Sequence, residues 1–196
     1  SGLYSTIQDK GRVGVQSYGV PYSGSMDSFS SDLANKILNN SEDAAVIEIT
    51  MIGPVLEFDN ETVISITGAN LSPLLNNKII KMYEPVIIKA NDLLSFGGLK
   101  SGWRAYIAIL GGCKTEKVYG SRSMFKNFTK HFKLNVNDIL TFNNDILFKS
   151  SKITLTKGLD IDKQIVAYKG PEYDMLNSNQ KEFISSNIFK ISNNYN

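Results

Sequence analysis

The chain has 196 residues, 42% of them hydrophobic and 20% charged, with a formal net charge of +2 at pH 7. Those values fit a folded chain of one large domain or one and a half smaller ones, and the charge is too small to argue for nucleic acid or an anionic membrane surface as partner. No apolar run approaches the roughly 18 residues needed to cross a bilayer, and nothing at the N-terminus reads as a secretory signal.

In chain order, the first feature is Thr6–Asp27, TIQDKGRVGVQSYGVPYSGSMD, where four glycines and a proline predict a long loop of defined shape. From Asp27 to Leu38 the spacing of Phe29, Leu33, Ala34, Ile37 and Leu38 predicts a helix capped by Asp27 or Ser25 and ended by Asn-Asn-Ser. Short strands follow: AVIEIT (Ala45–Thr50), VLEF, VISIT, VIIK, LLSF, YIAIL, ILTF, ILF, KITLT and QIVAY, separated by Gly, Pro, Asn and Asp clusters. In VISIT, Val63, Ser65 and Thr67 share one face against Ile64 and Ile66. Glu172–Ile184 is a weaker helical pattern with Met175, Leu176, Phe183 and Ile184 inward, and the SNNYN tail is polar. With almost no helix between strands, the chain reads as mainly β, an antiparallel barrel or sandwich.

One cysteine, Cys113, excludes an internal disulfide and fits a reducing compartment, so the cytoplasm is the expected location. Cys113 and the single histidine, His131, cannot assemble a zinc site of Cys and His ligands. A Ser-His-Asp triad would have to use His131, and no G-x-S-x-G elbow presents a serine. Cys113 after Gly111-Gly112 reads as a small buried residue rather than a nucleophile. Lys126, Lys130 and Lys133 among Phe125, Phe128 and Phe132 read first as a lysine-decorated edge or loop, ahead of a nucleic-acid patch.

The candidate chemistry therefore lies in positioned polar groups. Only three arginines occur, Arg12, Arg104 and Arg122, each within two residues of a glycine. A guanidinium grips a carboxylate or phosphate with two parallel bonds, and a neighbouring glycine lets backbone approach the ligand. Gln8, Asp9 and Arg12 either hold an amide or carboxylate ligand or tie the loop to itself. Thr67–Leu71 and Ile109–Gly112 end apolar strands in small residues, as an anion nest or as tight hairpins. Tyr119–Ser123 (YGSRS) has a composition suited to an anion but lacks the lysine and spacing of a P-loop. Glu48, within an apolar strand, either faces solvent by alternation or enters a pocket, with alternation the preferred cause.

Taken together, GLYSTIQDKGRVGVQSYGVPYSGSMD, ANKIL, AVIEITMIGPVLEF, ITGANLSP, GWRAYIAILGG, YGSRSM and KGPEYD follow one another as in a known family. The chain resembles the family containing the KipI antagonist KipA together with the C subunit of bacterial 5-oxoprolinase. That family is similar to one half of the carboxyltransferase domain of urea amidolyase and is often labelled allophanate hydrolase subunit 2. The resemblance implies a cyclophilin-like β-barrel with one or two short helices. Residues 1–150 would form a carboxyltransferase-type subdomain and 151–196 the start of a second, so that the chain reads as trimmed at both ends. After GSRS, where relatives carry a glycine-rich stretch with an arginine, this chain has KNFTKHFKLNVND.

The resemblance further implies a complex with an A subunit plus a KipI-like B subunit that hydrolyses 5-oxoproline to glutamate, using ATP bound on this chain or on a partner. Two alternatives stand: a urea carboxylase-type, biotin-dependent carboxyltransferase, or a KipA-like binding protein without chemistry. No Met-Lys-Met biotin acceptor occurs, so biotin would arrive on another chain or domain. The expected catalytic set is Gln8, Asp9, Arg12, Asp27 and Glu48, none of them a nucleophile. The expected substrate-binding set is Arg104, Arg122, Ser121 and Ser23, with Arg122 as anion clamp on a small amide or lactam.

Overall fold

The computed structural model describes residues 2–143, 148 and 168–188. The chain divides into two compact units, 1–153 and 154–196. The expected strands ILF, KITLT and QIVAY, apart from Phe148 and Tyr168, and the SNNYN tail lie outside the described residues. Among the described residues no helix is long and apolar enough to cross a membrane.

The first unit is mainly β. A five-stranded antiparallel sheet contains β1 (Tyr4–Gln8), β2 (Val46–Thr50), β4 (Thr62–Asn70), β7 (Val86–Ile88) and β9 (Ser101–Ile109), in the order β1-β2-β9-β4-β7. A four-stranded antiparallel sheet contains β3 (Leu56–Glu57), β5 (Pro73–Leu75), β6 (Lys78–Ile79) and β8 (Leu93–Phe96), in the order β3-β8-β5-β6. A short ribbon pairs β10 (Cys113–Lys114) with β11 (Thr141–Phe142). The mainly-β expectation holds, but the sheets do not close into a barrel among the described residues: each keeps two edges.

Alternation along the central strands builds two apolar layers. Ile47 and Ile49 of β2, Ile64 and Ile66 of β4, and Ile107 and Ile109 of β9 pack with Leu94 and Phe58 on one side. On the other side Val46, Val63, Tyr106, Ala108 and Leu110 pack against Ala34, Ile37 and Leu38 of α1 (Ser28–Ile37) and the turn that follows it. Strands buried on both faces read as continuous apolar runs, which explains AVIEIT and YIAIL. Each fully buried isoleucine contributes about 1.5–3 kcal/mol relative to exposure.

Helix α1 begins where its cap dictates. The Ser30 N–H and hydroxyl donate to the two Asp27 carboxylate oxygens at 3.0 and 2.5 Å. Two sheet hydroxyls then donate to helix carbonyls: Ser65 to Ala34 and Thr67 to Ser30, both at 2.6 Å. Asn39 at φ 56° ends the helix, and the Asn40 side chain donates to the Ile109 carbonyl at 2.8 Å. Phe29, expected inward, is 57% exposed.

Strand β1, which the loop reading of Thr6–Asp27 absorbed, is an edge strand of only five residues. Backbone from a later loop covers that edge: Met124 N–H donates to the Ile7 carbonyl at 2.9 Å and Leu134 N–H to the Ser5 carbonyl at 2.8 Å. At Gly68, φ is +79° and an added Cβ would lie 2.5 Å from the Arg104 carbonyl oxygen. The β4–β9 register shifts between Gly68 and Asn70, so this glycine makes the bulge.

In the second unit, a 3-10 turn at Pro171–Met175 is followed by α2 (Ser178–Ser186). The expected single helix is divided because Asn177 starts α2 with a capping box, exchanging bonds with Gln180 at 2.9 and 3.0 Å. Met175, Phe183 and Ile184, expected inward, are exposed.

Candidate functional site

Asp9 stands directly after β1, where the chain leaves the sheet, and its carboxylate collects donors from two loops. One oxygen accepts from the Gly11 N–H at 2.9 Å, the Ser121 hydroxyl at 2.5 Å and the Ser123 hydroxyl at 2.7 Å. The other accepts from the Arg122 N–H at 2.6 Å. Asp9 therefore joins the QDKGR and YGSRS segments, 113 positions apart in sequence. Gly11 makes the turn possible: its φ is +87°, and an added Cβ would lie 2.6 Å from the Tyr22 carbonyl oxygen.

Arg12 lies beneath this junction with no exposure. Its guanidinium donates to the Val118 carbonyl at 3.0 Å, the Ser123 carbonyl at 2.6 Å and the Ser23 hydroxyl. Those donors point inside the fold, where they tie Arg12 to Ser23 and to the 118–123 backbone. Of the two readings of this segment, the geometry matches self-tying, although Arg12 is tied to backbone carbonyls and not to Asp9. Gln8 is also buried; its side-chain amide donates to the Thr6 hydroxyl at 3.0 Å and to the Met124 carbonyl at 3.2 Å, while its side-chain oxygen has no partner among the described residues.

A second polar cluster forms under the start of α1. Register places Thr6, Glu48, Tyr106 and Thr67 in one row across β1, β2, β9 and β4. Glu48 is only 5% exposed. One carboxylate oxygen accepts from Arg104 at 2.9 Å, and the other from the Met26 N–H at 2.8 Å and the Tyr106 hydroxyl at 2.9 Å. Tyr106 in turn accepts from the Asp27 N–H at 2.8 Å. Alternation does set Glu48 opposite Ile47 and Ile49, but α1 and its leading loop cover that face, so Glu48 does not reach solvent. Burial, reinforced by the Glu48 charge, pushes the Tyr106 phenol pKa well up and keeps it a neutral donor. The Arg104 side chain stays partly exposed, at 27%.

The nine expected site residues thus sort into two groups plus Gln8. Asp9, Arg12, Ser23, Ser121 and Arg122 meet at the loop junction; Asp27, Glu48 and Arg104 meet at the helix start. The Ser25 N–H, donating to the Asp9 carbonyl at 3.0 Å, and the next residue's N–H on Glu48 connect the groups.

A cleft of about 250 Å3 opens beside the junction, lined by Asp9, Asp43, Cys113, Lys114, Lys117 and Arg122 among others. Arg122 is half-buried there, one guanidinium nitrogen donating to the Thr115 carbonyl. Cys113 forms part of the wall as an inert thiol: burial raises its pKa to about 12, against a small opposing effect of Arg122. At Ile109–Gly112, read as either an anion nest or a tight hairpin, the backbone donors are used locally, Gly112 on Ile109 and Gly111 on the Asn40 side chain, both at 2.8 Å. Thr67–Asn70 continues β4.

The family described as "Carboxyltransferase domain, subdomain A and B" matches residues 18–196. The chain belongs to that family. As a carboxyltransferase-domain protein it is 45% identical over 125 residues to urea amidolyase of Lachancea kluyveri, covering 63% of this chain and 7% of the relative. It is 30% identical over 123 residues to the C subunit of 5-oxoprolinase from Escherichia coli, covering 63% of this chain and 40% of the relative. The crystal structure of the K. lactis urea amidolyase superposes with a TM-score of 0.66 at 37% identity, covering 76% of this chain and 9% of that one. The chain therefore spans less than half the length of each of these relatives. They are enzymes, or subunits of enzymes, of several parts.

Several contributors to these two clusters and the cleft escaped sequence reasoning. Tyr106 looks like one more apolar strand position, yet two-residue alternation from Arg104 places it on the Glu48 face. Ser123 sits two residues from Ser121, the spacing that lets both hydroxyls turn to one acceptor. Lys114 and Lys117 are legible only as nearby charge in GGCKTEKVYGSR.

Proposed function

We propose that this carboxyltransferase-domain protein is one component of a cytoplasmic, ATP-dependent 5-oxoprolinase complex, acting with a KipI-like partner and a third subunit. In that reaction the lactam C–N bond breaks, one water supplies the oxygen to the carbonyl carbon, the ring nitrogen leaves as the amine of glutamate, and a second water is consumed as ATP goes to ADP and phosphate. The observation that carries this reading is Arg122. Arg122 lines a cleft at the meeting point of two motif loops, and 5-oxoproline bears a carboxylate whereas urea bears no charge. Asp9 would position Arg122 through its backbone, and Arg12 and Ser121 would hold the loops. Glu48, Tyr106 and Arg104 would fix the opening of α1 beside them.

The cleft does not fit ATP. Its volume of about 250 Å3 falls below the roughly 300–1,000 Å3 of usual ligand sites, and no P-loop lysine and hydroxyl accompany it. In this reading the cleft takes the lactam, and ATP binds elsewhere, on this chain or on a partner.

A second reading is supported by the 45% identity to urea amidolyase: a carboxyltransferase part that receives a carboxyl group from biotin carried on another chain or domain. Both are tested with the full-length protein co-purified with its partners, measuring ADP and glutamate with 5-oxoproline or urea. Glutamate formation that collapses in Arg122→Lys supports the first. ATP-dependent turnover with urea and bicarbonate, but not with 5-oxoproline, supports the second. Silence on both, from an intact complex, overturns both in favour of a KipA-like binding protein.

A further inference from the structure

Among the described residues, the cleft beside Arg122 holds cationic side chains that have no ion-pair partner. Of its four cationic side chains, Lys10 is neutralised by Glu42 at 2.8 Å. Lys114, Lys117 and Arg122 make no ion pair among the described residues: the two pairs there are Lys10–Glu42 and Arg104–Glu48. The side chains of Lys114 and Arg122 donate to neutral acceptors, the Asn143 side-chain oxygen at 3.4 Å and the Thr115 carbonyl.

The two lining carboxylates offset part of this charge, two negative charges against the three positive ones of Lys114, Lys117 and Arg122. Asp9 is saturated by the three hydrogen bonds on one oxygen and the Arg122 N–H on the other. Asp43 accepts the Ser41 hydroxyl and feels the charge of Lys117 without pairing to it. Gly120, at φ +80° with open space where a Cβ would stand, keeps the wall low between Lys117 and Arg122. Such a surface selects for an anion, and the fork of a guanidinium favours a planar one.

We propose that this cleft selects its ligand by charge, binding the carboxylate of a small organic acid through Arg122 and Lys117, with Lys114 adding attraction and Asp43 opposing it. The choice of acid, 5-oxoproline, rests on the 5-oxoprolinase reading; the charge preference rests on the cleft alone. Asp43 gives the proposal its sign. A carboxylate binds against Asp43, so removing that charge must help rather than hurt.

The test is direct binding to the full-length protein by titration calorimetry, using 5-oxoproline, its uncharged amide and inorganic phosphate. Lys117→Gln is expected to weaken 5-oxoproline binding about fivefold or more and Arg122→Gln about tenfold or more, while Asp43→Asn strengthens it about twofold or more. The uncharged amide should bind about tenfold more weakly and ignore all three substitutions. Because Arg122 also holds the Thr115 carbonyl, the exposed Lys117 and Asp43 decide the matter if Arg122→Gln folds poorly. Equal binding of acid and amide, or an affinity for the acid indifferent to both Lys117→Gln and Asp43→Asn, would overturn the proposal, as would tighter binding of phosphate than of the acid. Glutamate formation by the assembled complex is measured in parallel. Turnover indifferent to the cleft substitutions removes the cleft and leaves the 5-oxoprolinase reading; charge-dependent acid binding without turnover keeps the cleft and removes that reading.

Discussion

The Tyr106 hydroxyl donates to Glu48 at 2.9 Å while accepting the Asp27 N–H at 2.8 Å, so one phenol links the central sheet to the cap of α1. Removing the hydroxyl leaves a buried carboxylate and a helix-cap amide each one partner short. Tyr106→Phe is expected to cost about 1–3 kcal/mol and Glu48→Ala, which also orphans Arg104 and the Met26 N–H, about 3–5 kcal/mol. Urea unfolding of the two variants checks the order; equal stabilities would remove the link.

Asp9 offers a different kind of test, because its partners belong to loops. Asp9→Ala deprives four donors at once and is expected to cost about 2–4 kcal/mol, with loss of protection concentrated in the 9–25 and 118–124 loops. Amide hydrogen exchange separates this from a uniform loss of stability.

Arg12 and Arg122 should part company under the same conservative change. Arg12→Lys cannot serve three separated acceptors in the interior and is expected to destabilise by about 2–3 kcal/mol. Arg122→Lys can keep one bond to Thr115 and should change stability by less than about 1 kcal/mol while lowering turnover of the complex. A reversed pattern would exchange the roles of the two arginines.

Cys113 sets a pH dependence. The thiol of the unfolded chain ionises above about pH 8.5, whereas in the fold burial raises its pKa to about 12. Between those values the unfolded state binds fewer protons, so stability falls as pH rises, by up to about 1.4 kcal/mol per unit. Below about pH 8.5 this contribution is fully present. Tyr106, shifted the same way, adds to the fall above about pH 10. Unfolding free energies at pH 8 and 10 check the slope, which Cys113→Ala should reduce; iodoacetamide should modify the thiol only after unfolding.

Local signals sufficed wherever a residue's partner lies within a few positions or an element's own period exposes its face. The Asp27 cap and the Ser65/Thr67 against Ile64/Ile66 alternation were legible for that reason, as were strands β2, β7, β8 and β9. Strand β1 was not, since its polar, five-residue run gains its status from β2 on one side and the Met124 and Leu134 backbone on the other. The arginines show the same division. Scarcity and neighbouring glycines marked all three as special, but a guanidinium looks the same in sequence whether it faces carbonyls or a cleft. Only the tertiary structure decided that Arg12 is spent inside, that Arg104 holds Glu48 and that Arg122 reaches the cleft. The first two of those roles depend on distant contacts, 106 and 111 positions away for Arg12 and 56 for Arg104, which no local pattern encodes.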